Sequence, residues 1–346
     1  MIQLSRVAAT IAPLMLAAAC ATVPAITGDP AVTVSARAET PPVGTAREDA
    51  ADDPAIWRNP ADPAASLVVG TDKKGGLYVY DLKGAQRHFL AAPGLNNVDL
   101  IDLPDGRVLV AASDRSDLAK VQLFLALLDT DTGTLTPAGK IVAGPGEGYG
   151  ICMIAGPRAG EIVAFSAPKE GTIYRTVITA ADGTFTGSTT TLAQIPTQTE
   201  GCIADPRTGT LYIGEEDAGI WAIDIATGAK RLVATIDNRT LVADVEGLAI
   251  APKGKDGGYL VASSQGDNAY AVFRLPDVTP VGRFRIAQGA YGSVEETDGI
   301  ALDHRDFGPD FAGGLFIAQD GVNAPRAQNF KYVRWDEILA ALGEGQ

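Results

Sequence analysis

Six times along this chain, a residue with a side-chain oxygen opens a short apolar strand. That recurrence limits the fold more than any other feature. The openings are Asp53 (D-D-P-A-I-W), Asp99 (N-N-V-D-L), Tyr149 (G-Y-G-I-C), Glu200 (T-E-G-C-I), Glu246 (V-E-G-L-A) and Asp298 (T-D-G-I-A), at steps of 46, 50, 51, 46 and 52 residues. Each is followed by a turn and a second apolar strand: L-V-V-G from Leu67, V-L-V-A-A-S from Val108, I-V-A-F-S from Ile162, L-Y-I-G from Leu211, Y-L-V-A-S-S from Tyr259 and L-F-I-A from Leu315. A third strand follows in most copies, as in G-L-Y-V-Y-D and G-I-W-A-I-D. Repeats of about 40–50 residues with roughly four strands each are the pattern of β-propeller blades.

Six copies predict an all-β, six-bladed β-propeller over residues 31–346. A chain of 346 residues with 39 Gly and 21 Pro suits many short strands joined by turns. The last copy runs out after its third strand, K-Y-V-R-W, and a short helical tail, Asp336–Leu342. The alternating segment at 31–40 (V-T-V-S-A-R-A) is therefore predicted to supply the missing outer strand and close the ring. Closure removes sheet edges that would otherwise invite aggregation.

The N-terminus reads as a targeting segment. Arg6 precedes an apolar run, Val7–Ala19, too short to span a bilayer and suited to a secretory signal over residues 1–20. Residues 21–30 read as a linker. Cys20 after three alanines resembles a bacterial lipoprotein lipidation site, and cleavage at a small-residue site is the alternative. The expected location is outside the cytoplasm: periplasmic, extracellular or as an outer-membrane lipoprotein. Cys152 and Cys202 lie in apolar strand patterns near the starts of neighbouring repeats. They suit either buried thiols or a bridge between repeats, and the sequence leaves both open.

The formal net charge of −14, with two His, argues against nucleic acid and anionic membrane as partners. A lipid on Cys20 is the one membrane contact expected, and the protein is expected to be a monomer. Carboxylates in such number also suit hard cations, which take oxygen ligands.

Propeller geometry turns the repeat into a site. The first strand of a blade enters from the face to which the second returns, so entrances and second-strand tips share that face. The six entrances should form a ring of oxygen-bearing side chains around the axis, with Asp52 and Asp244 beside it. A ring of like charges calls for a cation. The tips divide. Lys73, Lys74, Arg115 and Lys169 come from blades one to three. Glu215, Glu216, Asp217, Gln265, Asp267, Asn268, Gln319 and Asp320 come from blades four to six. A cationic arc facing an acidic arc suits a phosphate held between basic side chains and bound cations. The spacing Cys152-x5-Arg158 matches cysteine phosphatases, but no helical pattern follows for a phosphate loop to open. No G-x-S-x-G or R-H-G nucleophile motif is present.

D-A-A-D-D-P-A-I-W (49–57), N-N-V-D-L (96–100), T-D-K-K-G-G-L-Y-V-Y-D, S-D-R-S, Q-T-E-G, L-Y-I-G-E-E-D, A-D-V-E-G-L, S-S-Q-G-D-N-A-Y, T-D-G-I, A-Q-D-G and Q-N-F-K stand in one order. With them the chain resembles the β-propeller phytases, the calcium-dependent alkaline 3-phytase family, from Asp49 to the C-terminal helix. The resemblance implies hydrolysis of phosphate monoesters of phytate or calcium-phytate, with several Ca²⁺ ions. It implies that Asp52, Tyr149, Glu200, Glu216, Asp244, Glu246 and Asp298 hold calcium, with Glu215, Gln265, Asp320 and Asn329 as supporting ligands. Lys73, Arg115 and Lys169 would bind the phosphate being cleaved, and Lys74 and Asn323 a second phosphate or a further calcium. Tyr149 and Glu216 join Lys73, Arg115 and Lys169 as the residues implied in catalysis. Two rival readings are a six-bladed lactonase or esterase with one central metal, and a calcium-stabilised binding propeller without catalysis.

Overall fold

The computed structural model describes residues 26–46, 48–181 and 183–344. The predicted leader, with Cys20, lies outside them. Among the described residues no helix is long and apolar enough to cross a membrane. Six sheets follow one another along the chain as the blades of a β-propeller. Blade one runs from Ala51–Trp57 at the axis through Leu67–Asp72 and Gly76–Asp81 to Gln86–Ala91 at the rim. Blades two, three and four begin with Leu95–Asp102, Gly150–Ala155 and Thr199–Asp205 and have the same four-stranded antiparallel order. Blades five and six begin with Val245–Lys253 and Ile300–Asp303. A short helix, Trp335–Ala341, ends the fold.

The second strand of each blade explains the sequence pattern. Leu67–Asp72, Val108–Asp114 and Leu315–Asp320 are buried at every position. Such a strand is covered on both faces by neighbouring blades, so it reads as a continuous apolar run rather than an alternating one. Rim strands such as Gln86–Ala91 keep one wet face and carry polar residues.

Ring closure differs in detail from the expectation of one N-terminal strand. Val32–Ser35 pairs in parallel with Thr279–Ala287, as a fifth strand of blade five. Ala38–Glu39 then pairs antiparallel with Asn329–Arg334, completing blade six. The segment thus straps two blades together. Residues before it are also anchored. Gly28 N donates to Asp267 Oδ2 at 2.9 Å, and Arg283 Nη1 donates to the carbonyl of Asp29 at 2.9 Å. The second half of the predicted linker is therefore docked on blade five.

Around the axis the inner strands share a bulge. Register shifts fall between Ala51 and Pro54, Leu95 and Val98, Thr199 and Cys202, and Val245 and Leu248. At each bulge two residues occupy one rung. The first points to the axial face and the second meets the next blade. In blade four that second residue is Gly201, where a Cβ would lie 2.1 Å from the Glu246 carbonyl oxygen. Gly201→Ala is expected to cost about 2–3 kcal/mol by overpacking, read as a lower denaturant midpoint with an unchanged slope.

The seam between blades three and four carries a disulfide, Cys152–Cys202, with the two Cα atoms 5.5 Å apart. This settles the alternatives for these cysteines and removes Cys152 as a phosphatase nucleophile.

Candidate metal and phosphate site

The bulge corrects the composition of the predicted ring. First-position residues are Asp52, Asn96, Glu200 and Glu246, joined at the axis by Tyr149 and Asp298. Asp53 and Asp99 were expected there, but each is turned onto the next blade. Asp53 Oδ2 accepts from Val98 N at 3.0 Å and Asp99 Oδ2 from Met153 N at 2.6 Å. A shift of one residue reverses the facing of a strand side chain, and the bulge introduces that shift. These two acids tie blade one to two and blade two to three. They also line a narrow axial cavity of ≈ 160 Å³ beneath the ring.

Glu200, Glu216 and Glu246 each offer a carboxylate oxygen, and these oxygens lie within 4.8 Å of one another. Asn96 Nδ2 donates to Glu200 Oε1 at 2.9 Å, and Gln198 donates to Glu216. Oδ2 of Asp52 and Oε2 of Glu246 are buried without a hydrogen bond, and Oδ1 of Asp52 has the Lys73 ammonium at 3.0 Å. Buried carboxylates so placed resist ionisation. Burial, with the Asp52 charge, raises Glu200 well above the usual carboxylate range. Burial and then Glu200 do the same to Glu246. Burial raises Glu216 and Asp244, with Asp244 adding to the first and Asp217 to the second. Asp298 is pushed up to about 7 by burial, partly offset by Lys73. Orphaned oxygens on clustered carboxylates fit a hard divalent cation, which takes several oxygen ligands and relieves this repulsion.

Lys73 sits at the edge of this cluster. Its Nζ lies 2.9 Å from Asp49 Oδ2, 3.0 Å from Asp52 Oδ1 and 2.9 Å from Asp298 Oδ2. Burial would lower its pKa, but Asp52, Asp298, Glu200 and Asp49 override that and hold the ammonium above its ordinary range. Gln265 Nε2 donates to Asp298 Oδ1 at 2.7 Å, which places Gln265 beside the cluster.

The cationic arc is also assembled. Arg115 stacks over the Tyr149 ring at 4.6 Å, and Lys169 Nζ lies 5.4 Å from the same ring. Arg115 Nη1 donates to Asn96 Oδ1 at 2.9 Å, and its other arm pairs with Glu147. Lys73, Lys74, Arg115 and Tyr149 line one open cavity of ≈ 640 Å³ with Asp49. Burial and Glu200 raise the Tyr149 phenol, against Arg115, so it stays neutral.

Three predicted supporting ligands, Glu215, Asp320 and Asn329, lie elsewhere, and so does Asn323, predicted for a second phosphate or a further calcium. Glu215 faces away from the ring, because adjacent strand residues point to opposite faces. Its Oε1 accepts from Thr197 N at 2.8 Å and its Oε2 from Trp221 Nε1 at 2.8 Å. Asp320 pairs with the fully buried Lys331, which also meets Asn329 Oδ1 at 3.1 Å and Glu39 Oε2 at 3.6 Å. That buried group joins the strap to blade six. Asn323 does not line the Lys73 cavity. It donates to the Ala327 carbonyl at 2.8 Å and accepts from Arg326 at 3.1 Å. Sequence reasoning missed Asn96, Asp49 and Glu147. The first two lie inside motifs that were read, but nothing in the order of residues distinguishes Asn96 from Asp99 as the inward one.

Comparison with known proteins agrees with this geometry. The sequence profile of the family described as Phytase matches residues 3–346. A 3-phytase of Bacillus subtilis (strain 168) is 39% identical over 331 residues, spanning 90% of this chain and 86% of that protein. With a family match over nearly its whole length, a six-bladed ring and clustered carboxylates facing a basic arc, the chain belongs to the phytase family.

Proposed function

We propose that the chain is a phytase that hydrolyses phosphate monoesters of phytate, free or as its calcium complex, with calcium ions held on the axial face. The observation that carries this reading is the adjacency of two groups. Glu200, Glu216 and Glu246 converge on one point, and Lys73, Lys74 and Arg115 line the cavity beside it. Glu200, Glu216, Glu246, Asp52 and Asp298 would hold the cations, with Tyr149, Asp244 and Gln265 at the margin. When bound there, calcium supplies Lewis-acid polarisation of the phosphoryl oxygens and makes water a stronger nucleophile.

The chain's own residues do the rest. Lys73, Arg115 and Lys169 offset the charge of the phosphoryl group as it transfers. Asn96 and Glu147 hold the Arg115 guanidinium from two sides, so little orientation remains to be fixed when substrate arrives. Tyr149 offers its ring to both Arg115 and Lys169. Water forms the new P–O bond, the ester P–O bond breaks, and a proton ends on the departing hydroxyl. No covalent intermediate with the protein is required. The basic arc also favours a phosphate ester over a lactone, and catalysis over passive binding.

Export, with a lipid on Cys20 or plain cleavage, belongs to the same proposal. The Cys152–Cys202 bridge supports it, since disulfides persist in oxidising compartments.

The test is phosphate release from phytate with and without Ca²⁺, for the native protein and Glu216→Ala. Release is expected to need Ca²⁺ and to fall by about 100-fold or more in the variant. No release at any calcium level refutes the phytase reading. Undiminished release by Glu216→Ala refutes the assigned cluster.

A further inference from the structure

We infer that the Cys152–Cys202 disulfide is a positioning element of the cation site, clamping the seam that sets Tyr149 against Glu200. The inference rests on the reading of Glu200 as a cation ligand. Cys152 lies three residues after Tyr149 on the inner strand of blade three. Cys202 lies two residues after Glu200 on the inner strand of blade four. The bridge therefore crosses directly behind two side chains of the axial face that come from different blades.

The seam needs such a clamp for a physical reason. Glu200 of blade four and Glu246 of blade five bring carboxylate oxygens within 4.8 Å of one another on the axial face. Close carboxylates repel, so the inner strand that carries Glu200 needs a fixed support from its other neighbour, blade three. The approach is also close. A Cβ at Gly150, next to Tyr149, would lie 1.8 Å from the Glu200 carbonyl oxygen. Parting of the seam would therefore move Glu200 relative to Tyr149 and to Asn96, which holds Glu200 Oε1 from blade two. Other seams carry hydrogen bonds at this level. Asp53 reaches Val98, Asp99 reaches Met153, and Gly247 N donates to the Asp298 carbonyl at 2.6 Å. Across the seam of blades three and four Thr199 Oγ1 donates to the Pro168 carbonyl at 2.8 Å, and the further link is covalent. Supports behind a metal ligand govern affinity because they fix where the ligand atoms wait.

The test titrates Ca²⁺ alone, without substrate, into the folded full-length protein by calorimetry well below its melting temperature. Native protein is compared with Cys152→Ala/Cys202→Ala and with native protein treated with a dithiol reductant. Both are expected to bind Ca²⁺ about tenfold more weakly, near the lower end of what loss of an outer support costs a metal site. Val272→Ala, in the buried third strand of blade five, lowers stability without touching the seam. It should leave the affinity unchanged. A lower melting temperature with native Ca²⁺ affinity in both bridge-less forms overturns the inference and leaves the disulfide a stability device. If the double variant fails to fold, the reduced native protein decides by the same criterion. Absence of Ca²⁺ binding to the native protein instead overturns the reading on which the inference rests.

Discussion

Lys73→Met is expected to lower phosphate release from phytate by about 10²–10³-fold while Ca²⁺ affinity holds or rises. Met keeps most of the stem and removes the charge. In the native protein that charge stands within 3.0 Å of Asp49, Asp52 and Asp298 and beside the open cavity. Two consequences separate. The transferring phosphoryl group loses a cation. Asp52, fully buried, and Asp298, half-buried, lose their partner, which in the calcium-free protein should cost about 3 kcal/mol. Added Ca²⁺ should recover much of that loss, because a cation bound only by the folded state stabilises it by mass action. The pairing of lost activity with retained calcium binding distinguishes Lys73 from Glu216, whose loss should weaken both. Native-like release by Lys73→Met would remove the lysine from the phosphate-binding arc.

Stripping calcium should reverse the pH dependence of stability. In the calcium-free protein, Glu200 and Glu246 are raised well above the usual range and Asp298 to about 7. Between the ordinary carboxylate pKa of about 4 and these raised values, the folded state binds more protons than the unfolded state. Stability must then fall as pH rises through that window. The contribution is full below pH ~4 and is lost as pH rises through about 7 and beyond. Asp99, at about 7 by burial, acts in the same direction. A loss of several kcal/mol between pH 5 and 8 is expected, since each unit of raised pKa is worth about 1.4 kcal/mol. With saturating Ca²⁺ the ligands must be deprotonated to bind, so stability should instead rise with pH over the same interval. Denaturant midpoints at pH 5 and 8, with chelator and with Ca²⁺, measure both slopes. A midpoint that rises with pH in chelator would mean that the cluster is not under the repulsion described.

Much of this was legible because a propeller repeats its geometry. Lys73, Arg115 and Lys169 follow the second strands of their blades, and a turn after a fully buried strand is easy to find. Once the blades were counted, the three cations had to share a face. Glu200, Glu246 and Asp298 were legible for the same reason, each followed by a glycine where the next blade presses in. What misled was local ambiguity. Asp52 and Asp53 are neighbours, as are Glu215 and Glu216, and alternation cannot show which faces the axis when a bulge resets it. Asp320 sits at a tip like the others, but a lysine from the next strand claims it.

The sequence by itself determined the period, the number of blades, the face on which the chemistry gathers and the charge of its two arcs. These depend on strand alternation and turn placement, which act over a few residues and repeat. Only the tertiary structure decided which acid at each bulge points inward, that Asn96 rather than Asp99 stands for blade two, and that Cys152 and Cys202 are joined. It also showed the strap dividing between blades five and six. These outcomes depend on groups far apart in the chain. Asn96 meets Glu200 across 104 residues and Lys73 meets Asp298 across 225. Such contacts are set by how neighbouring blades press together at the axis, and no short-range pattern records that.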